Sequence, residues 1–300
     1  VDRRRVLLSA IGGLSGAALI GAALVGAALL KRERRTTGRP LPANFAHRGA
    51  AARAPETTME AFQLAVEAGA GGLELDVHLT RDGEVVVIHD ATVDRVTDGS
   101  GAVAGMTLEE VRRLDAGDSF SPDGGQTFPY RGRGVRIPTL AEVYEEFPNT
   151  CVNADIKEAR PGAEKAVLRV IQDAAAEGRT LVASTDHAVL RRFRKVSGGR
   201  ISTGASRREI AAFYVLSKLH LEALLNPAYE ALQAPVEHQG IKLVTPRFLN
   251  AAHSSGVRVD VWTINDAAEM RRLLDLGVDV IMTDYPEVLE SLLQERGGQR

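Results

Sequence analysis

Four short groups in this 300-residue chain carry side chains able to hold a charged group and move protons: His47-Arg48-Gly49, Glu74-x-Asp76, His89-Asp90 and Asp155-x-Lys157. Residues two apart on a strand point to the same face, so Glu74 and Asp76 lie together while Leu73, Leu75 and Val77 take the other side. Asp155 and Lys157 share a face by the same rule. Carboxylates held this close repel unless positive charge lies between them, and all-oxygen donors suit Mg²⁺ or Ca²⁺ better than zinc. Two histidines titrating near neutral pH, with Arg48 and Lys157 beside a hard divalent ion, suit an anionic group whose reaction needs proton transfer at both ends. A phosphodiester meets that description. Any one of these pairs alone is more often structural; four at strand ends are harder to dismiss.

The elements that must position them follow from the hydrophobic pattern. Strand-like runs occur at Asn44 to His47, Gly72 to Val77, Val85 to His89, Cys151 to Ile156, Leu181 to Ser184, Arg200 to Thr203, Ile241 to Thr245, Val257 to Ile264 and Asp279 to Thr283. Helical patterns lie between many of them: Thr58 to Ala68, Leu140 to Phe147, Ala163 to Glu177, Ala267 to Leu276 and Glu287 to Gln294. Gly69, Gly178 and Gly277 stand where C-caps belong. Alternation of this kind predicts an α/β fold, a (β/α)8 TIM barrel, in which the C-terminal strand ends meet around one rim and bring the four groups together. With nine strand candidates for eight places, one is either not a strand or lies outside the barrel. Arg81-Asp82-Gly83-Glu84 predicts a tight turn, and Arg95 to Arg136 a long Gly-rich excursion with a short helix at Thr107 to Leu114. Arg207 to Gln233 reads as a helix more apolar than an outer-ring helix needs, suited either to a lipid-dipping surface or to packing on the barrel.

Composition bounds the partners. At 44% hydrophobic and 25% charged residues the chain can bury a core, and with Cys151 as the sole cysteine it has no internal disulfide and no multi-thiolate zinc site. Residues 1–40 hold eight Lys/Arg against two acids, which leaves 29 against 37 beyond them. An acidic main domain without a basic stripe argues against nucleic acid as partner. Val6 to Leu30 contains no charged side chain and is flanked by Arg3, Arg4 and Arg5 and by Lys31, Arg32, Arg34 and Arg35. It predicts a single-pass transmembrane helix within residues 1–35, a linker at 36–43 broken by Pro40 and Pro42, and the barrel at 44–300. The larger basic cluster after the run favours a cytoplasmic main domain. The alternative is export after a twin-arginine-like signal, with Gly26-Ala27-Ala28 as a small-residue cleavage site.

In chain order, AHRGAAARAPETTMEAFQLAVEAG, GLELDVHLTRDGEVVVIHDATVDRVTDGSG, IPTLAEV, VDVWTIND and LGVDVIMTDYP resemble the glycerophosphodiester phosphodiesterase family, from about Asn44 to Leu289. The resemblance implies a TIM barrel of the phosphodiesterase type that hydrolyses glycerophosphodiesters to an alcohol and sn-glycerol 3-phosphate with a divalent cation. It implies His47 and His89 as the acid/base pair, Glu74 and Asp76 as metal ligands, and Arg48 and Lys157 as phosphate contacts. Glu56 matches the family's glutamate after the HRG motif and is placed near the metal.

Two departures stand out. Glu56-Thr57-Thr58 replaces the family's usual Glu-Asn-Thr, which removes an amide from the loop. Asp155-Ile156-Lys157 replaces Glu-Ile-Lys, so the third metal-ligand carboxylate is one methylene shorter and reaches an ion after a small shift or through water. Trp262, the single tryptophan, fits either an aromatic pocket wall able to face a quaternary ammonium group or a packed core position. Asp284 is expected as a helix cap rather than a ligand. The rivals to diester hydrolysis are a lysophospholipase D acting on membrane lysophospholipids and a catalytically silent barrel that binds phosphorylated ligands.

Overall fold

The computed structural model describes residues 42–297. Eleven strands occur there: β1 (Asn44–His47), β2 (Gly72–Leu79), β3 (Val85–Val87), β4 (Cys151–Ile156), β5 (Thr180–Ala183), β6 (Ser202–Thr203), β7 (Ala231–Ala234), β8 (Glu237–His238), β9 (Ile241–Lys242), β10 (Arg258–Val261) and β11 (Val280–Thr283). Eight of them form one parallel sheet in the order β6-β5-β4-β2-β1-β11-β10-β7. A parallel bridge between Gly204 and Ala231 joins the two ends of that sheet. The chain is therefore a (β/α)8 barrel, with helices packed outside.

The sequence explains the layering. On β2, Leu73, Leu75 and Val77 turn outward into a core shared with Phe62, Ala65, Leu140 and Val143, and all are buried. Each β-branched or leucine side chain so covered contributes about 1.5–3 kcal/mol against exposure. The helix Met59–Glu67 begins at Thr58, whose hydroxyl accepts from the Ala61 N–H. The helices Leu140–Glu146 and Arg207–Lys218 begin at full capping boxes on Thr139 and Ser206.

Two of the nine strand candidates, not one, stand outside the barrel, because Val85 to His89 forms β3, antiparallel to β2 and off the parallel barrel sheet. Three corrections concern the other elements. Ile241 to Thr245 is not a barrel strand: Ile241 and Lys242 are exposed and pair only with β8 in a small antiparallel hairpin. The barrel place belongs to β7, which the sequence reading absorbed into one long helix. The helix stops at Lys218, and Ala231–Ala234 becomes a strand because it pairs along its whole length with β10. Third, the helix starting at Ala163 ends at Asp173; Ala175, at φ 48°, takes the left-handed turn, and Gly178 lies in a short 3-10 turn.

The single-pass membrane placement is also corrected. Among the described residues no helix is long and apolar enough to cross a membrane, and the segment at 1–35 and most of the linker at 36–43 lie outside the described residues.

Candidate active site

The rim is assembled from neighbouring strands. β1 ends at His47, which pairs in register with Glu74 on β2, and Asp76 on β2 pairs with Asp155 on β4. After His47 the chain reverses sharply, with Arg48 at φ 55° and Gly49 at φ 87°. That reversal puts the Arg48 N–H 2.9 Å from the Glu74 carbonyl and 3.3 Å from its Oε2. A Cβ on Gly49 would lie 2.7 Å from the Ala61 backbone, so the motif requires glycine for space as well as for φ.

His89 arrives by a different route. β2 runs on to Leu79, turns over Asp82 and Gly83 as the sequence predicted, and returns as β3, antiparallel to β2. The Ile88 N–H then donates to the Asp76 carbonyl at 3.0 Å, which delivers His89-Asp90 to the same rim. His78 Nε2, on the face of β2 that carries Glu74 and Asp76, lies 3.2 Å from the His89 carbonyl.

Ion pairs run continuously through the site. His47 Nδ1 is 2.7 Å from Asp284 Oδ1, and its Nε2 is 4.0 Å from Glu74 Oε2. Arg48 Nε lies 3.4 Å from Asp76 Oδ2, and Lys157 Nζ stands between Asp76 Oδ1 at 2.9 Å and Asp155 Oδ2 at 2.7 Å. Arg48 Nη1 also reaches Glu56 Oε1 at 3.0 Å. Arg95 then grips both oxygens of Glu56 and donates to Asp90 Oδ2 at 2.6 Å, while Asp90 Oδ1 lies 2.6 Å from His89 Nδ1. His47, Arg48, Glu74, Asp76, Asp155, Lys157, Glu56 and His89 are thus brought together. Trp262 follows β10 and is 40% exposed, which sets it apart from the packed core.

Burial governs the protonation of these groups. It pushes the Glu74 carboxyl up to about 8, with the Asp76 charge adding to the effect. It also raises Asp155, where the Asp76 charge assists and the Lys157 ammonium opposes. For His47 burial acts downward, but the bond to Asp284 and the charges of Glu74 and Asp284 outweigh it and raise the imidazole above its ordinary value. Burial opposes ionisation of Glu56, yet bonds from Arg95 and Arg48 hold its carboxyl below the usual range.

Among the described residues no three His, Cys, Asp or Glu side chains stand in a metal-holding arrangement. The arrangement present is ion-paired, with Lys157 on two of the candidate oxygens and guanidinium groups on both oxygens of Glu56. The donor set nevertheless fits a hard cation. Asp76 Oδ2 and Asp155 Oδ1 are buried and lack any hydrogen-bond partner. Such oxygens, with a neighbouring glutamate that burial discourages from ionising, constitute a demand for positive charge. Glu74, Asp76 and Asp155 are the residues that would meet it.

The sequence reading expected Asp284 as a helix cap, where the structure sets it against His47, and it missed Asn265 and Arg95. Both oxygens of Asp284 are engaged by side chains, Oδ1 with His47 and Oδ2 with Asn265 Nδ2 at 2.7 Å. The position of Asp284, directly after β11, is the signal that could have found it, since it is the strand-end location that singled out the other groups. A recess of about 640 Å³ on the barrel flank, between the Gly83 turn and the helices Leu140–Glu146 and Ala163–Asp173, contains none of these rim residues.

Residues 47–288 match the Glycerophosphoryl diester phosphodiesterase family. A protein of Caldanaerobacter subterraneus subsp. tengcongensis named glycerophosphodiester phosphodiesterase is 37% identical over 260 residues, covering 84% of this chain and 98% of its own length. The human protein named Lysophospholipase D GDPD1 is 28% identical over 312 residues, covering 96% of each chain. Among solved structures, an Oleispira antarctica phosphodiesterase in complex with the product sn-glycerol-3-phosphate superposes with a TM-score of 0.67 at 27% identity, covering 85% of this chain and 97% of that one.

Proposed function

The chain belongs to the glycerophosphoryl diester phosphodiesterase family, and from that premise we propose that it hydrolyses glycerophosphodiesters to an alcohol and sn-glycerol 3-phosphate, with a divalent cation and two histidines. The observation that carries the reading is the matched anchoring of the imidazoles. His47 has Nδ1 on Asp284 and His89 has Nδ1 on Asp90. An ionised carboxylate only accepts, so each Nδ1 carries the proton and each Nε2 is left for proton transfer. One histidine takes the proton of the attacking hydroxyl or water; the other protonates the departing alcohol oxygen.

Arg48 and Lys157 neutralise the nonbridging oxygens and orient the phosphate, exchanging part of their present bonding to Asp76, Asp155 and Glu56 for bonding to substrate. Glu74, Asp76 and Asp155 would hold a Mg²⁺ or Ca²⁺, which would supply Lewis-acid stabilisation of the negative charge on the phosphoryl oxygens. Glu56 acts through Arg48 and Arg95, and Trp262 forms an exposed wall against the alcohol group.

Glycerophosphodiesters of choline, ethanolamine and inositol assayed with Mg²⁺, Ca²⁺ and chelator test this. Release of sn-glycerol 3-phosphate that stops on chelation is expected. Undiminished turnover in chelator, or in His47→Ala, overturns the mechanism; inertness towards all diesters with ligand binding intact supports a silent barrel. One relative bears the name lysophospholipase D, and Val215, Leu219, Leu221 and Leu224 are exposed apolar side chains. Choline release from lysophosphatidylcholine, measured against glycerophosphocholine, decides the acylated substrate.

A further inference from the structure

The same rim carries a second group of polar side chains beyond β5 and β6. There the helix His187–Val196 starts at Asp186 and the helix Arg207–Lys218 starts at Ser206. A recess of about 420 Å³ at these two starts is lined by Asp186, His187, Arg191, Arg207 and Arg208 among others. The three arginines are exposed, and no carboxylate among the described residues pairs with them. Their neighbours behave differently: Arg192 is bonded to Glu164 and Arg194 to Glu209. Unpaired guanidinium groups gathered in one recess of an acidic domain suit an anionic group.

The recess is net positive, because Asp186 sets one negative charge against three guanidinium groups. Asp186 Oδ1 is committed to the Ala188 N–H at 2.7 Å, and His187 Nδ1 is 3.0 Å from Ser206 Oγ. The recess opens at the same end of the barrel as the rim groups, since it is lined by residues that directly follow β5 and β6. Ala183 pairs in register with Asp155, so Thr185 begins two residues beyond a strand about 4.8 Å from the one bearing Asp155 and Lys157.

We propose that this recess binds an anionic group on the alcohol half of the diester, so that the chain selects glycerophosphodiesters whose alcohol bears a phosphate. The inference rests on the hydrolase reading above and specifies its substrate class. Arg191, Arg207 and Arg208 are specificity residues that contact the alcohol's phosphate; they are not part of the proton-transfer machinery.

The test compares glycerophosphoinositol with glycerophosphoinositol 4-phosphate, which differ by one phosphate. For the unaltered chain kcat/KM is expected to be about tenfold higher for the phosphorylated diester, the advantage shrinking in high salt. In R191A/R207A/R208A the advantage disappears while glycerophosphoinositol is turned over as before, which also shows that the variant is folded. Arg208→Ala alone gives an intermediate ratio. Equal kcat/KM for the two diesters in the unaltered chain overturns the proposal. So does a response to inorganic phosphate through the three arginines without any advantage for the phosphorylated alcohol, which would mark a site for a free anion. If neither diester is hydrolysed, the wider diester panel decides the hydrolase reading, and calorimetric binding of inositol 4-phosphate to the unaltered and triple-variant chains still decides the recess: binding lost in the variant supports it, and no difference refutes it.

Discussion

His47 Nδ1, at the end of the first barrel strand, and Asp284 Oδ1, directly after the last, meet at 2.7 Å. The contact lies where β1 pairs with β11, and it fixes both the tautomer and the tilt of the imidazole. Asp284 is in turn held by Asn265, so the carboxylate cannot easily swing away.

Asp284→Asn is therefore expected to lower kcat about 10- to 100-fold with little change in KM, because substrate contacts remain and only the proton-transfer partner is misplaced. The sign of the pH effect is fixed. Asp284 raises His47, so its neutralisation lowers the His47 pKa and moves the limb of the pH–rate profile governed by His47 to lower pH. A profile that stays in place while kcat falls would show that Asp284 does not act through His47.

Asp76→Asn addresses the cation. Asp76 Oδ2 is a buried oxygen without a hydrogen-bond partner, and the same side chain faces Arg48 and Lys157. Its neutralisation should weaken Mg²⁺ or Ca²⁺ affinity by at least about tenfold, the scale at which losing even a supporting group is felt. The effect is read by metal titration of a thermal midpoint, without reference to turnover. An unaltered titration would remove Asp76 from the ligand set.

The features legible in the sequence were those that obey a local rule. Period-two alternation on β2 placed Glu74 with Asp76, and strand-end position placed His47 on the rim; His89 reaches it on the antiparallel return of β3, which the rule for parallel strand ends does not cover. β7 escaped because Ala231-Leu232-Gln233-Ala234 has little β propensity of its own and becomes a strand by pairing with β10. Gln233 then points inward, where it donates to Asn153 and Asp260. The roles of Asp284 and Arg95 escaped for another reason: their partners lie 237 and 39 residues away, and no spacing rule connects them before the barrel closes.

Arg95 is the next test of that long-range wiring. It bridges Glu56, and through it Arg48, to Asp90 and His89. Arg95→Ala should reduce kcat/KM about tenfold by loosening both ends of the chain of contacts at once. Arg95→Lys should recover only part of this, since an ammonium cannot span the two carboxylates as the planar fork does. Full recovery by lysine would mean that charge alone matters at this position.

The departure at Thr57 has a structural reading and gives a stability prediction. Thr57 sits at φ 58°, a left-handed conformation that β-branched residues adopt only under strain of about 1 kcal/mol or more, whereas asparagine tolerates it. The loop is nonetheless held, because the Thr57 N–H donates to the Arg48 carbonyl at 2.9 Å and its hydroxyl to the Glu56 carbonyl at 2.6 Å. The backbone bond survives substitution, and the volumes of threonine and asparagine are close. Thr57→Asn should consequently raise the thermal midpoint by a few degrees, corresponding to about 1 kcal/mol, and leave kcat/KM nearly unchanged. A lower midpoint would mean that the hydroxyl bond to Glu56 outweighs the backbone strain, and that threonine stabilises this turn.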